Sequence, residues 1–195
     1  LPQNTGLSLT RSRDGFLWVG TEEGIARFDG TSFVSFHRGN TPGMPHNLVY
    51  SLLADRGGAL WVGTAAGLVR FVDGAAQPVG AREKVPGKAI RCLLQDRSGA
   101  IWAGTAGGGL VRIDGDDVTV LTTRDGLAGD EVASLLEEPD GLLVATTEGL
   151  SRRRADGRPF SQYVREEIFL PLGMIDSWIG MPVEQYAAYG ERMGG

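Results

Sequence analysis

The fold is decided by the stretch Asp55-Arg-Gly-Gly-Ala-Leu-Trp-Val-Gly-Thr-Ala-Ala-Gly-Leu-Val-Arg-Phe-Val-Asp-Gly74, which recurs along the chain. The copies occupy residues 14–30, 55–74, 96–115 and, in a weaker form, 139–157. Their anchor positions are Trp18, Trp61, Trp102 and Val144. These anchors lie 43, 41 and 42 residues apart. A fixed period of this size is typical of a repeat architecture.

Each repeat contains four short runs of residues that favour strands. In the second copy, the apolar run 48–54 precedes turn residues, and the runs 59–62 and 68–72 follow. The pair Asp73-Gly74 then favours a hairpin, because a type I′ turn needs positive φ at both central residues. An outer strand should follow, as residues 32–36 do in the first copy. Four antiparallel strands in about 42 residues predict the blade of a β-propeller.

The tryptophans of the repeat are expected to pack between neighbouring blades. A large aromatic side chain mostly buries area in a core, so we favour this structural role for Trp18, Trp61 and Trp102 over stacking on a ligand. The fourth copy departs from the pattern, since Val144 replaces the tryptophan and Thr146 replaces the following glycine.

The composition excludes several classes of partner. The chain has 195 residues and a net charge of −5, which argues against binding to nucleic acid or to an anionic membrane. The one basic run, 152–154, is expected to be a solvated strand face. No apolar segment is long enough to span a bilayer, and no signal peptide is recognised. A single cysteine, Cys92, has no disulfide partner and is expected to be a buried small hydrophobe.

The loops at one end of the blades are the candidate binding face. In a propeller, the connections between blades share one face with the turns between second and third strands, and such loops commonly bind ligands. The candidate binding residues are Arg38, Asn40, His46, Asn47, Arg82, Lys84, Arg124 and Asp130. The same face is expected to carry Glu22, Glu23, Glu83, Asp125 and Glu148. Its mixed charge predicts a small polar ligand or a protein partner, although an ordinary wetted surface would look the same.

The repeats resemble those of the two-component regulator propeller family. The matching features are Leu-Pro-Gln-Asn at residues 1–4, the Asp-Arg-x-Gly-x-Leu-Trp-Val-Gly-Thr core at 55–64, and Gly-Leu-x-Arg-Phe-x-Asp-Gly at 67–74. The resemblance covers about residues 1–157. It implies a periplasmic or otherwise extracytoplasmic sensor region of bacterial histidine kinases, hybrid regulators or diguanylate cyclases. The relay parts of that family, a membrane helix and a kinase or cyclase motif, are not recognised in this sequence.

The segment after residue 157 has a different character. Ser161 is placed to cap a helix, which Pro171 and Gly173 end, and a second short helix is expected from Pro182 to Tyr189. Residues 158–178 resemble a helix and turn of the serine β-lactamase and penicillin-binding-like esterase family. We therefore predict a helical tail over 158–195.

The catalytic motifs of that second family are missing from the sequence. It needs a Ser-x-x-Lys pair, but neither Lys84 nor Lys88 has a serine three residues before it. His37 and His46 lie in one loop without the further ligands of a zinc site. The glycine run 106–109 lacks the lysine of a phosphate-binding loop and is better explained as a hairpin turn with an inserted residue. We therefore expect no catalytic residue, metal or cofactor.

The sequence thus predicts an all-β fold of about four propeller blades with a short α-helical tail. The predicted domains are 1–157, with an incomplete fourth blade, and 158–195, with Phe160 and Tyr163 docking on that blade. The four blades are expected to close as a ring or to form an open arc that self-associates through exposed blade faces. The leading functional hypothesis is a non-catalytic sensor module. The alternatives are a fragment of a serine hydrolase and a truncated fusion product.

Overall fold

The computed structural model describes residues 5–72, 75–79, 88–154 and 171. Within them, regular structure is almost entirely β-strand, with one short 3-10 helix, Thr123–Asp125. The strands are β1 (Gly6–Arg11), β2 (Leu17–Thr21), β3 (Gly24–Phe28), β4 (Phe33–Phe36), β5 (Val49–Ala54), β6 (Leu60–Thr64), β7 (Gly67–Val72), β8 (Ala75–Pro78), β9 (Ile90–Gln95), β10 (Ile101–Thr105), β11 (Leu110–Asp114), β12 (Asp117–Leu121), β13 (Val132–Glu138), β14 (Gly141–Thr146) and β15 (Gly149–Arg154). The predicted helical tail, with Phe160 and Tyr163, lies outside the described residues, apart from Pro171 in a turn.

Consecutive strands form four separate antiparallel sheets. Three of them have four strands, β1–β4, β5–β8 and β9–β12, and the fourth has the three strands β13–β15. We call these sheets blades 1 to 4. The first strand of each blade packs against the first strand of the next, so that β1 contacts β5, β5 contacts β9 and β9 contacts β13. The predicted all-β architecture of propeller blades is confirmed.

The described Asp-Gly pairs of the predicted turns, at Asp29 and Asp114, lie at hairpins, but not at the centre of two-residue turns. At Asp29, the connection between Phe28 and Phe33 has four residues, and the Asp29 carboxylate accepts the backbone N–H groups of Thr31 and Ser32 at 2.8 Å. At Asp114, the strands pair through Asp114 and Asp117, which leaves Gly115 in the turn with a φ of 60°. The aspartate therefore ends the strand or caps the turn, and the glycine supplies the positive φ.

Three hydrophobic clusters fill the junctions between the blades. Trp18 packs with Val49, Leu60 and Phe71 of blade 2. Trp61 packs in the same way against blade 3, and Trp102 against blade 4. These three indoles are only 6–7% exposed. The predicted role of the tryptophans in packing between blades is confirmed.

No hydrophobic cluster among the described residues joins blade 4 back to blade 1. On blade 1, Leu9 is 66% exposed, although its counterparts Leu52 and Leu93 pack on the preceding blade. On blade 4, Leu136 and Leu150 are 60% and 67% exposed. We call the open side of blade 1, with Leu9 and Phe33, the leading face. We call the open side of blade 4, with Leu136, Leu143 and Leu150, the trailing face. The described part of the chain is therefore an open arc.

The strand register corrects the alignment of the fourth copy. Val132 pairs with Thr146 as Val49 pairs with Thr64, so Thr146 corresponds to the repeat threonine. Leu143 therefore occupies the tryptophan position and Ala145 the glycine position, whereas Val144 corresponds to Val62. The identification of Val144 with the tryptophans was wrong.

A shorter turn causes this shift. Between the first and second strands of blade 2, five residues separate Ala54 from its partner Leu60. In blade 4, only four residues separate Glu137 from its partner Leu142. The loss of one residue moves every later position of the repeat forward by one. Aligning Asp140-Gly141 with Asp14-Gly15 therefore selected Val144, although Leu143 lies 41 residues after Trp102, as Trp102 lies 41 after Trp61.

The turns between the first and second strands lie at one end of the blades, which we call the turn end. Polar contacts at the turn end link each blade to the next. Asp55 Oδ2 accepts the indole N–H of Trp61 at 2.7 Å, and Asp96 does the same for Trp102. The arginine that follows each of these aspartates reaches the next blade. Arg56 donates to Gln95 Oε1, and the backbone N–H of Arg97 donates to Glu137 Oε1 at 2.7 Å. The Asp-Arg pair of the repeat thus holds the tryptophan and the neighbouring blade together.

Candidate functional site

The two described connections among the predicted binding loops, between blades 1 and 2 and between blades 3 and 4, lie at the end of the blades opposite those aspartates. We call it the loop end. Each blade forms the same turn there, because a threonine hydroxyl donates to a glycine carbonyl at 2.7–3.0 Å. The four threonines are Thr21, Thr64, Thr105 and Thr146. The glycine run 106–109 is one of these turns, as predicted, and Thr105 Oγ1 accepts the backbone N–H of Gly108 there.

The connection between blades 1 and 2 brings four of the predicted residues into one loop. Asn47 Oδ1 accepts the backbone N–H of Arg38 at 2.9 Å, which closes the loop across nine positions. Asn40 Oδ1 accepts the backbone N–H of His37, and its amide donates to Ser35 O. His46 Nδ1 accepts the backbone N–H of Leu48 at 3.0 Å. These polar atoms therefore shape the loop, while the Arg38 side chain is exposed.

The connection between blades 3 and 4 repeats this construction. Asp130 Oδ1 accepts the backbone N–H of Thr123 at 2.7 Å, as Asn47 does for Arg38. Asp125 Oδ2 accepts the backbone N–H and the hydroxyl of Thr122, and these bonds lower the pKa of Asp125 despite a small opposing effect of burial. Arg124 is exposed at the tip of this loop.

A buried apolar side chain fixes each loop to the core beneath it. Met44 is buried in the cluster between blades 1 and 2, and Leu127 occupies the equivalent place between blades 3 and 4. Each lies five residues before the first residue of the next inner strand, Val49 or Val132. Among the described residues, no hydrogen bond joins the two loops to each other. Arg82 and Lys84 lie outside the described residues.

A second candidate site was not predicted from the sequence. A cleft of about 590 Å³ lies between blades 3 and 4. Its lining residues are Asp96, Arg97, Ser98, Trp102, Arg112, Thr119, Leu121, Glu137, Glu138, Pro139, Gly141, Leu142 and Arg153. A smaller cleft of about 330 Å³ lies at the equivalent place between blades 2 and 3, where Asp55, Trp61 and Arg70 correspond to Asp96, Trp102 and Arg112. The cleft is thus a feature of the repeat, enlarged at the last junction.

The arginine run 152–154 contributes to this junction. Arg152 pairs across the strands with Leu143, as Arg70 pairs with Trp61. Without an indole below it, the Arg152 guanidinium instead contacts Glu138 and Asp140, each at 2.8 Å. Arg153 is half-buried at the cleft. The expectation of a simple solvated face was therefore wrong for both residues. Arg152 binds carboxylates because a leucine replaces the tryptophan, and Arg153 is half-buried because it lies on the side of blade 4 that faces blade 3. The side chain of Arg154 is not described.

The described residues show few groups suited to catalysis. Cys92 is partly buried against the cluster between blades 3 and 4, and burial raises the pKa of its thiol to about 11, which keeps it protonated at neutral pH. His37 Nδ1 accepts the backbone N–H of Gly39, as His46 Nδ1 accepts that of Leu48. In the described part of the chain, no group of three or more His, Cys, Asp or Glu side chains is placed to hold a metal ion.

Comparison with known proteins identifies matching repeats and proteins of the same fold. Residues 43–66 and 84–107 match the model of the two component regulator propeller family. The extracellular domain of a hybrid two component system from B. thetaiotaomicron has a TM-score of 0.71 and 22% identity over 79% of this chain and 24% of its own. The extracellular domain of a one component system from the same organism has a TM-score of 0.68 and 18% identity over 80% of this chain and 24% of its own.

An enzyme shares the fold as well. A catalytically inactive virginiamycin B lyase from Staphylococcus aureus, solved with quinupristin, has a TM-score of 0.63 and 19% identity over 82% of this chain and 56% of its own. No curated protein matches the chain. These identities establish the fold alone, and the chain spans about a quarter of the length of the two extracellular domains.

The fold and the matched repeats together define the class of this molecule. It is an arc of β-propeller blades that carries two-component regulator propeller repeats. No helix among the described residues has the length and apolar character needed to cross a membrane.

Proposed function

We propose that the chain is a non-catalytic binding module of a bacterial signalling receptor, acting outside the cytoplasm on a small polar ligand or a protein partner. The match of two repeats to the two component regulator propeller family supports this proposal, as does the fold shared with extracellular receptor domains. Both point to a recognition scaffold whose signal is relayed by other parts of a longer protein.

One observation carries the proposal: the two described connections at the loop end are built alike and fixed by their own side chains. Asn40 and Asn47 in one loop correspond to Asp125 and Asp130 in the other. A loop fixed before binding loses less conformational entropy when a ligand binds. The exposed guanidinium groups of Arg38 and Arg124 are then available to contact a ligand.

The hydrolase hypothesis receives less support. Its residues, 158–195, lie outside the described part of the chain apart from Pro171, and no comparison supports that resemblance. The shared fold of the lyase gives no reason to assign catalysis, because one fold carries many unrelated functions.

The test is a thermal-shift screen of the purified chain with sugars, amino acids and small carboxylic acids, followed by calorimetry on each hit. The double variant Arg38→Ala, Arg124→Ala should lose the stabilisation by a loop-end ligand. Arg13→Ala, an exposed arginine at the turn end, should keep it. Turnover of nitrocefin or p-nitrophenyl acetate by the purified chain would contradict the non-catalytic assignment. Equal loss of binding in the control variant would contradict the loop-end site.

A further inference from the structure

Among the wall positions that differ between the cleft at blades 3 and 4 and its counterpart at blades 2 and 3, one exchanges an apolar side chain for an arginine. In the smaller cleft, Ile113 pairs with Ile101 and is buried in the hydrophobic cluster. In the larger cleft, Arg153 occupies that position and pairs with Leu142. The repeat therefore places an apolar side chain where the last junction has a guanidinium group. This replacement puts a cation on the wall of a cavity of about 590 Å³.

The carboxylates that line the cleft already have partners. Asp96 accepts hydrogen bonds from the indole of Trp102 and from the backbone of Gly99 and Ala100. Glu137 accepts from the backbone N–H of Arg97, and Glu138 pairs with Arg152. None of these three carboxylates forms an ion pair with Arg153, because each of them binds other donors.

Arg153 itself forms no hydrogen bond or ion pair with another described residue. The other two arginines of the lining are paired, Arg112 with Asp114 at 2.7 Å and Arg97 with Glu137 at 4.0 Å. Burial lowers the pKa of Arg153, attraction to the Asp125 carboxylate raises it, and repulsion from Arg112 lowers it. The guanidinium nevertheless remains charged at neutral pH, because its ordinary pKa lies above about 12. A half-buried cation of this kind favours an anion that enters the cleft.

We propose that this cleft binds a small hydroxylated monocarboxylic acid, whose carboxylate contacts Arg153. Arginine matches a carboxylate with two parallel hydrogen bonds. The cavity volume lies in the range of about 300–1,000 Å³ that is typical of small-molecule sites. Ser98 and Thr119 belong to the same lining. Ser98 Oγ donates to Asp96 Oδ1, so it can only accept from a hydroxyl of such an acid, whereas Thr119 can donate or accept. Glu137 and Glu138 belong to the same wall, and their charges repel a dianion more strongly than a monoanion.

The test uses gluconate as the monoanion, sorbitol as its neutral counterpart and inorganic phosphate as the dianion. Calorimetry on the full chain at low ionic strength measures binding. Gluconate is expected to bind saturably, and sorbitol and phosphate much more weakly. Arg153→Ile, which restores the side chain of the neighbouring junction, should weaken gluconate binding by roughly 10- to 100-fold, because a hydrogen bond to a charged group is lost. Arg13→Ile removes the same charge from an exposed turn of blade 1 and should leave binding unchanged.

Thermal unfolding separates loss of binding from loss of the fold. Arg153→Ile should unfold at or above the temperature of the unchanged protein, since an apolar side chain replaces a half-buried cation. Should this variant unfold early, Arg153→Lys provides the readout, and we expect it to keep the fold and lose most of the affinity. Undiminished gluconate binding in either variant would overturn the proposal, as would absence of gluconate binding or equal binding of phosphate. The site is distinct from the loop end, so variants of Arg38 and Arg124 test the two proposals separately.

Discussion

Blades 3 and 4 are neighbours with the same strand order, yet they differ in the side chains that they offer to a following blade. Blade 3 presents Trp102, whose indole N–H is held by Asp96. Blade 4 has Leu143 at the tryptophan position and Glu138 at the aspartate position. Because Leu143 has no N–H group, Glu138 pairs with Arg152 instead. The leucine at the tryptophan position thus changes the partner of the acidic side chain from an indole N–H to an arginine.

The arginine that reaches the next blade changes in the same way. Arg97 of blade 3 contacts Glu137 of blade 4, whereas Pro139 occupies its position in blade 4. The trailing face of blade 4 therefore lacks both the indole and the arginine that join the other blades. The comparison indicates that a junction is specified by the trailing face of the earlier blade, and its energetic consequences are testable.

The largest difference in stability between a substitution at a buried junction and one on the open trailing face is expected at the tryptophan position. Trp61→Ala removes an indole that is 6% exposed and should lower the free energy of unfolding by about 3–5 kcal/mol. Leu143→Ala changes the equivalent, half-buried residue on the open trailing face and should cost about 1 kcal/mol or less. Urea unfolding followed by circular dichroism measures both. Equal losses would contradict the distinction between buried and open faces.

The glycine position offers a steric test of the same distinction. A Cβ at Gly63 would overlap Ser51 Oγ and lie 2.8 Å from Ile90 Cγ2 of the next blade. Gly63→Ala should therefore destabilise the protein by about 1–3 kcal/mol, because the core must shift. Ala145 already occupies this position in blade 4, where no described blade follows, so Ala145→Gly should have an effect below about 1 kcal/mol. Thermal unfolding of the two variants measures both effects. An unchanged unfolding temperature of Gly63→Ala would contradict the close contact between blades 2 and 3 at this glycine.

The aspartate position predicts a smaller effect that depends on pH. Burial opposes ionisation of Asp96, but hydrogen bonds from Ser98, Trp102 and the backbone of Ala100 and Gly99 outweigh it and lower its pKa. A folded-state pKa below the unfolded one gives stability that is present above about pH 4 and lost as pH falls through the folded-state pKa. Asp96→Asn should flatten this acid limb in urea titrations between pH 2 and 7. If the variant loses stability with falling pH as steeply as the unchanged protein, the acid sensitivity comes from other carboxylates.

The weakest predicted effect is association between copies. The leading face of one copy presents Leu9 and Phe33, and the trailing face of another presents Leu136 and Leu150, as equivalent residues do at the buried junctions. We expect a second copy to pack head to tail, weakly and reversibly, because the trailing face lacks the indole. Sedimentation velocity over a concentration series should show this association, and Leu9→Glu or Leu150→Glu should reduce it, with Arg13→Glu as control. A monomer at every concentration would refute it.

The blade architecture was predictable from the sequence because each strand is bounded by glycine turns and each indole recurs in register. The fourth copy shows where such reasoning fails. A one-residue deletion in the turn puts Asp140-Gly141 out of alignment with the turn residues of the other copies, so that Leu143 and not Val144 occupies the tryptophan position, 41 residues after Trp102. The alignment of Leu-Val-Ala-Thr with Trp-Val-Gly-Thr was the available signal.

The candidate sites were predictable only in part. The position of Asn47 and Asp130 in loops followed from the repeat, but their role as acceptors for backbone N–H groups depends on loop geometry. The cleft at Arg153 was missed because its charge depends on which residue of blade 4 faces blade 3. A basic run on a strand looks solvated in the sequence, and only strand pairing places Arg153 where Ile113 lies in the blade before it.

The burial of the three repeat tryptophans is the most direct test of the arc. Trp18, Trp61 and Trp102 are each at most 7% exposed, and Trp178 is removed from the signal by Trp178→Phe. Acrylamide quenching of the remaining fluorescence measures their access to solvent. The account predicts blue-shifted emission and slow quenching that rises only when the protein unfolds. Quenching of the folded protein as fast as that of free tryptophan would contradict a scaffold of blades packed through their indoles.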